Sequence, residues 1–128
     1  MERCIFCDYK NDEKETVLFE NDFCACLTRD NGPVLAGSCV IIPKEHKETV
    51  FELSREEWEA TKELIDKVKI YLDSKYKPDG YNVGWNVGGQ RVFHAHLHVI
   101  PRHADEPRAG SGIRYWIKQK ENLRPGIQ

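Results

Sequence analysis

Polar and apolar positions alternate from His94 to Val99, within the stretch from Gln90 to Arg102, where His94, His96 and His98 fall at every second residue with Ala95, Leu97 and Val99 beside them. Alternation of this kind predicts a half-buried β-strand. Successive side chains of a strand point to opposite faces, so the three imidazoles are expected on one face, spaced by about 7 Å at a rise of ~3.3 Å per residue. Ala95, Leu97 and Val99 then face a core. Packing is a poor explanation for three histidines on one strand face, because each needs polar partners when buried.

The remaining pattern predicts the elements around that strand. Thr16–Phe19 and Phe23–Leu27 read as two short strands joined by a turn at Glu20-Asn21-Asp22, and Arg29–Pro33 is dense in turn formers. Gly37–Pro43 reads as a buried strand ended by Pro43. Ser54-Arg55-Glu56-Glu57 has the form of a capping box, with Ser54 as N-cap and Glu57 at the third helical position. The helix that follows is expected to run to about Lys75. Its core stripe is Trp58, Thr61, Leu64, Ile65, Val68, Tyr71 and Leu72, and Glu59, Lys62, Asp66, Lys69 and Asp73 form a solvated face. Lys77-Pro78-Asp79-Gly80 stops the helix. Tyr81–Val87 alternates as a strand, and Val87–Gln90 is a short loop into the histidines. Beyond Pro101, Ile113–Ile117 is apolar enough to pack and residues 118–128 are expected to fray. Strands, one long helix and then strands favour an α+β fold, an antiparallel β-sheet with one long helix and a short one. Residues 1–128 are expected to form a single domain, with a C-terminal tail from about residue 103.

Composition narrows the class. The chain has 128 residues, 40% hydrophobic and 31% charged, with a formal net charge of −2, which fits a globular protein. There is no basic field of the kind that binds a nucleic-acid polymer. No apolar run reaches the length of a membrane span. The N-terminus MERCIFCDYKNDE lacks the apolar stretch of a signal peptide, so a cytoplasmic location is expected. The five cysteines then read as thiols or metal ligands rather than a disulfide framework. Cys4-x-x-Cys7 admits three readings: half a zinc site, a redox pair, or coincidence. Cys24 and Cys26 read as small core residues. His46 alone reads as a surface histidine.

The run His94-Ala95-His96-Leu97-His98-Val99-Ile100 resembles the His-φ-His-φ-His-φ-φ pattern of the histidine triad (HIT) superfamily of nucleotide hydrolases and transferases, with φ apolar. Gly89-Gln90-x-Val92 precedes the triad as in that family. Ile42-Pro43-Lys44-x-His46 is similar to its strand end and following histidine, and Asp30 stands where the family has an acidic residue against the ribose.

The resemblance implies a division of labour. His96 is the expected nucleophile, attacking an α-phosphorus to give a nucleotidyl-histidine that water hydrolyses. One ring nitrogen attacks while the other keeps its proton, held by a nearby carbonyl, expected to be that of His94. His98 and Gln90 are expected at the phosphate or leaving group. Asn86, Gly88 and Gly89 join the nucleotide contacts, the glycines by letting backbone N–H groups approach phosphate oxygens. Asp30 takes the ribose. Some family members bind structural zinc through ligands that correspond here to Cys4, Cys7, His46 and His94, a closed two-cysteine, two-histidine set. The resemblance implies no catalytic cofactor. The implied partner is a purine or other nucleotide, with a homodimer as the expected assembly. Arg91 stands where relatives often carry Ser or Thr, and it either supplies charge to a polyphosphate or points to solvent. Arg114 and Trp116 are expected either at a pocket shared between subunits or in packing. Two other readings stay open: a hydrolase using His94, His96 and His98 to bind a catalytic metal, and a nucleotide-binding regulatory protein with little turnover.

Overall fold

The computed structural model describes residues 4–29, 35–109 and 111–124. Five strands form one antiparallel sheet: β1 (Glu15–Glu20), β2 (Cys24–Arg29), β3 (Cys39–Pro43), β4 (Gly80–Trp85) and β5 (Leu97–Arg102), in the order β1-β2-β3-β5-β4. The long helix α1 (Arg55–Tyr76) joins β3 to β4, and a short helix α2 (Ile113–Ile117) lies in the tail. The α+β expectation and the pairing of one long with one short helix hold.

Period-two alternation sorts the sheet into two faces. Cys24, Cys26, Cys39, Ile41, Leu97 and Val99 point to one face, where α1 covers them with Ala60, Leu64, Val68 and Leu72. Three cysteines therefore serve as small apolar core residues, and burial drives the Cys24 thiol pKa up. Ala25, Leu27 and Ile42 point to the other face, where Phe6 and Tyr9 of the N-terminal segment cover part of it.

The capping box of α1 forms as its residue types require. The Ser54 side chain accepts from the Glu57 amide at 3.1 Å, and the Glu57 carboxylate accepts from the Ser54 amide at 2.7 Å. Glu63–Lys67, Lys69–Asp73 and Lys62–Asp66 pair along the outer face. Trp58 departs from the expected core stripe. It is 49% exposed and meets Trp85 edge to face at 6.2 Å between ring centroids, because it stands in the first turn of α1, out toward the sheet edge at β4. α2 also departs from expectation: its apolar side chains are exposed rather than packed.

The largest difference is in the histidine stretch. The strand begins only at Leu97, not at His94, and β3 pairs with β5 from Cys39–Val99 to Ile41–Leu97. Continuing that register would set Pro43 opposite Ala95, and proline has no amide hydrogen for the ladder. The Ala95 amide instead donates to the carbonyl of Lys47 at 2.6 Å, in the turn after β3. His94 and His96 are thus held outside the regular sheet and need not share one face.

Candidate functional site

His94 is fully buried. Its Nε2 lies 2.7 Å from the carbonyl oxygen of Pro43, which can only accept, so Nε2 carries the ring proton. Nδ1 is then left with a lone pair, and it faces Cys4 Sγ and Cys7 Sγ, each at 3.4 Å. Cys7 Sγ in turn lies 3.1 Å from His46 Nδ1. The four potential ligand atoms of Cys4, Cys7, His46 and His94 all lie within 4.8 Å of one another. A tetrahedral zinc with bonds of about 2.0–2.3 Å separates its ligand atoms by roughly 3.5 Å, so the cluster has the size and donor set of such a site. Burial and the adjacent Cys4 push the Cys7 thiol up to about 11, a proton that a bound cation would displace. The CxxC motif, open to three readings by spacing alone, is thereby joined to two histidines distant in sequence.

His96 faces elsewhere. Its Nδ1 lies 2.8 Å from the carbonyl oxygen of His94, so Nδ1 is the protonated nitrogen and Nε2 carries the lone pair. The His98 ring stands 4.8 Å from it in a T-shaped contact, and the Phe6 ring lies 5.0 Å from it. Burial, then the neighbouring His96, lowers the His98 pKa. The three histidines are therefore divided: one belongs to the Cys cluster, and two form a contiguous pair outside it.

Beside that pair lies a cavity of about 460 Å³, lined by Ile5, Phe6, Leu27, Val40, His98 and Ile100 among others. The register explains its floor. Leu27 is opposite Val40 and Val40 is opposite His98, so these three side chains form a row across β2, β3 and β5. Phe6 and Ile5 come from between the two cysteines of the CxxC. Nothing in the local pattern of that segment placed them against the triad; only the fold does.

The loop before the triad is arranged less simply. Asn86, Gly88 and Gly89 are exposed, and Gly88 takes a left-handed backbone conformation with φ of 84°, which favours glycine. Gln90 is buried; its Nε2 donates to the Glu48 carbonyl at 3.1 Å, while its Oε1 has no partner among the described residues. Arg91 is exposed and lines a groove with Cys4, His46, Glu48 and Phe93, on the side of the Cys cluster. Asp30 lies outside the described residues. Arg114 and Trp116 are exposed on α2, with the Arg108 guanidinium 5.9 Å above the Trp116 ring.

Comparison with known proteins agrees with this geometry. A family model described as the HIT domain matches residues 10–105. An uncharacterized HIT-like protein of Mycoplasma genitalium is 31% identical over 130 residues, covering 98% of this chain and 89% of the relative. An adenosine 5′-monophosphoramidase of Schizosaccharomyces pombe is 32% identical over 112 residues, covering 85% of this chain and 81% of the relative. Among solved structures, a HIT family member from Bacillus subtilis superimposes with a TM-score of 0.72 at 27% identity, covering 96% of this chain and 99% of that one.

Proposed function

Because the chain belongs to the HIT family, we propose that it binds a nucleotide in the cavity beside His98 and cleaves it at the α-phosphate through a covalent intermediate on His96. The observation that carries this reading is the 2.8 Å bond from His96 Nδ1–H to the His94 carbonyl, which leaves the Nε2 lone pair free for attack. The apolar cavity walls suit the faces of a base. The likeness to the Schizosaccharomyces pombe phosphoramidase supports a nucleoside phosphoramidate as substrate, and a dinucleoside polyphosphate is the other substrate proposed.

In the proposed step, His96 Nε2 forms a bond to the α-phosphorus as the P–N or P–O bond to the leaving group breaks. The bonding pair departs with the leaving group, which takes a proton from water while His98 offers it a hydrogen bond. The imidazole keeps its Nδ1 proton and becomes cationic on phosphorylation, and the His94 carbonyl is placed to stabilise that charge. Water then attacks phosphorus, releases the nucleoside monophosphate and regenerates His96. Gln90, Asn86, Gly88 and Gly89 are proposed phosphate contacts, and Asp30 the ribose contact. Gln90 would contact the phosphate through its Nε2–H donors, one of which the Glu48 carbonyl holds at 3.1 Å.

Cys4, Cys7, His46 and His94 would hold a structural zinc, which when bound supplies a fixed tetrahedral anchor for the N-terminal segment. The anchored segment is the one that presents Ile5 and Phe6 to the cavity. We also propose a homodimer, supported by the open edge of β4 and the exposed Val83 and Trp58 beside it. No helix among the described residues is long and apolar enough to cross a membrane.

A second reading, nucleotide binding with little turnover, is supported by the likeness to a hypothetical histidine triad nucleotide-binding protein of Sulfolobus tokodaii, with a TM-score of 0.71 at 29% identity. One experiment separates the readings. The protein is incubated with a nucleoside 5′-phosphoramidate and with a dinucleoside polyphosphate, and nucleotide bound covalently to His96 is sought by mass spectrometry. Turnover that survives His96→Ala would sink the proposed mechanism. Tight binding without product would favour the regulatory reading. Activity lost to a chelator and restored at once by added metal would favour a metal-dependent hydrolase.

A further inference from the structure

Three consecutive residues in the turn after β3 each hold a different part of the site. His46 Nδ1 lies 3.1 Å from Cys7 Sγ. The Lys47 carbonyl accepts the Ala95 amide at 2.6 Å, one residue from both His94 and His96. The Glu48 carbonyl accepts Nε2 of Gln90 at 3.1 Å. No strand ladder steadies this turn, because β3 ends at Pro43.

What steadies it is a buried ion pair with α1. Lys47 Nζ lies 3.3 Å from Glu57 Oε1, with the two side chains only 20% and 4% exposed. Lys47 Nζ also lies 3.4 Å from the Glu52 carbonyl oxygen, and the Glu48 amide donates to the Glu52 carboxylate at 3.1 Å. Glu57 has a second duty as the third residue of the capping box. That duty does not require charge, since Gln closes a capping box as well. A carboxylate at this depth is costly unless a cation meets it. The charge of Glu57 is therefore surplus to helix capping and is matched to Lys47.

We propose that Lys47 and Glu57 are positioning residues that lock the 46–48 turn, and through it the metal ligand His46, the Ala95 amide beside the nucleophile, and Gln90. The catalytic part of this inference rests on the proposed chemistry at His96; the structural part does not. Glu57→Gln keeps the cap and removes the charge. Lys47→Met keeps the aliphatic stem, Lys47→Arg keeps the charge, and the double variant Lys47→Met/Glu57→Gln removes both charges together.

Three quantities are read on the full chain: hydrogen exchange of the Ala95 amide against that of Ile41 in β3, the zinc dissociation constant by chelator competition, and kcat and KM on a nucleoside phosphoramidate. Glu57→Gln and Lys47→Met are expected to speed Ala95 exchange over Ile41 exchange and to weaken zinc about tenfold or more, as changes around metal ligands do. They are also expected to lower kcat with KM nearly unchanged. Lys47→Arg is expected to restore all three. The double variant is expected to lose less than the sum of the single changes, because it leaves no lone buried charge; it also serves if a single variant fails to fold. Ala95 exchange and zinc affinity at wild-type values, with only the melting temperature lowered, would overturn the proposal. If the wild type neither turns over nor labels His96, the nucleotide reading fails, while exchange and zinc affinity still decide the role of the pair.

Discussion

The ring and the backbone of His94 engage different neighbours: Nδ1 faces Cys4 Sγ at 3.4 Å, and the carbonyl accepts from His96 Nδ1 at 2.8 Å. The Cys/His cluster and the proposed nucleophile are thus coupled through a single residue. Whatever fixes the His94 ring also fixes the acceptor that sets the His96 tautomer.

His96→Ala is expected to lower kcat by at least about 10³-fold, the scale seen when a nucleophile is deleted. Zinc content should be unchanged, since the cluster draws on His94 and not on His96. Steady-state kinetics together with metal analysis check both statements. Turnover near the wild-type rate would contradict the assignment.

Loss of a proposed zinc ligand is expected to act on stability. Cys4→Ser is expected to abolish stoichiometric zinc and to lower the melting temperature by roughly 10 °C, because the anchor of the N-terminal segment is lost. A chelator added to wild type should produce a similar shift, and thermal denaturation with and without chelator measures it. Wild-type protein purified without chelators and found free of zinc would remove the structural site.

Protonation of His98 has a definite sign. Burial and the adjacent His96 hold its folded-state pKa below the ordinary value, which is about 6.5 for histidine. His98 therefore stays neutral at neutral pH, and the acid limb of the rate profile is expected below the ordinary imidazole range. For stability, the unfolded chain takes up this proton first as pH falls. The contribution of His98 is complete above its unfolded value and declines as pH drops toward the folded one. Denaturation midpoints at neutral and mildly acidic pH, compared with those of His98→Gln, test this; an unchanged slope in the variant would refute it.

Phe6 joins the CxxC to the cavity. Phe6→Ala is expected to raise KM for the nucleotide about tenfold, equivalent to ~1.4 kcal/mol of lost binding. Its ring touches both the cavity and the His96 imidazole, so kcat should fall as well. Binding by calorimetry alongside kinetics separates the two effects.

Val83 tests the proposed assembly. It is 53% exposed on the edge strand β4, and Val83→Lys is expected to shift a dimer toward monomer in light scattering. A wild-type protein that is monomeric at micromolar concentration would refute the dimer.

Much of the fold was legible along the chain because the signals are local. Ser54 and Glu57 announce the start of α1 three residues apart, and Pro43 announces the end of β3. Leu97 and Val99 face the core as their alternation requires. Trp58 stands exposed although it lies on the helical stripe, because helical spacing identifies a stripe but not how far the sheet beneath it extends. The histidine strand is shorter than its alternation predicts for a related reason. Its alternation is real, but Pro43 on the neighbouring strand withholds the partner that residues before Leu97 would need.

The order of residues alone carried the histidine triad, the CxxC, the capped helix and the α+β class, since each depends on spacing within a few residues. The three-dimensional arrangement decided the rest. It turned His94 away from His96 and His98 and toward two cysteines some ninety positions earlier. It brought Phe6 against the His96 ring, set a cavity beside His98, and tied the 46–48 turn to Glu57. These contacts join segments far apart in the chain, and their distances follow from strand register and helix packing, which no local pattern specifies.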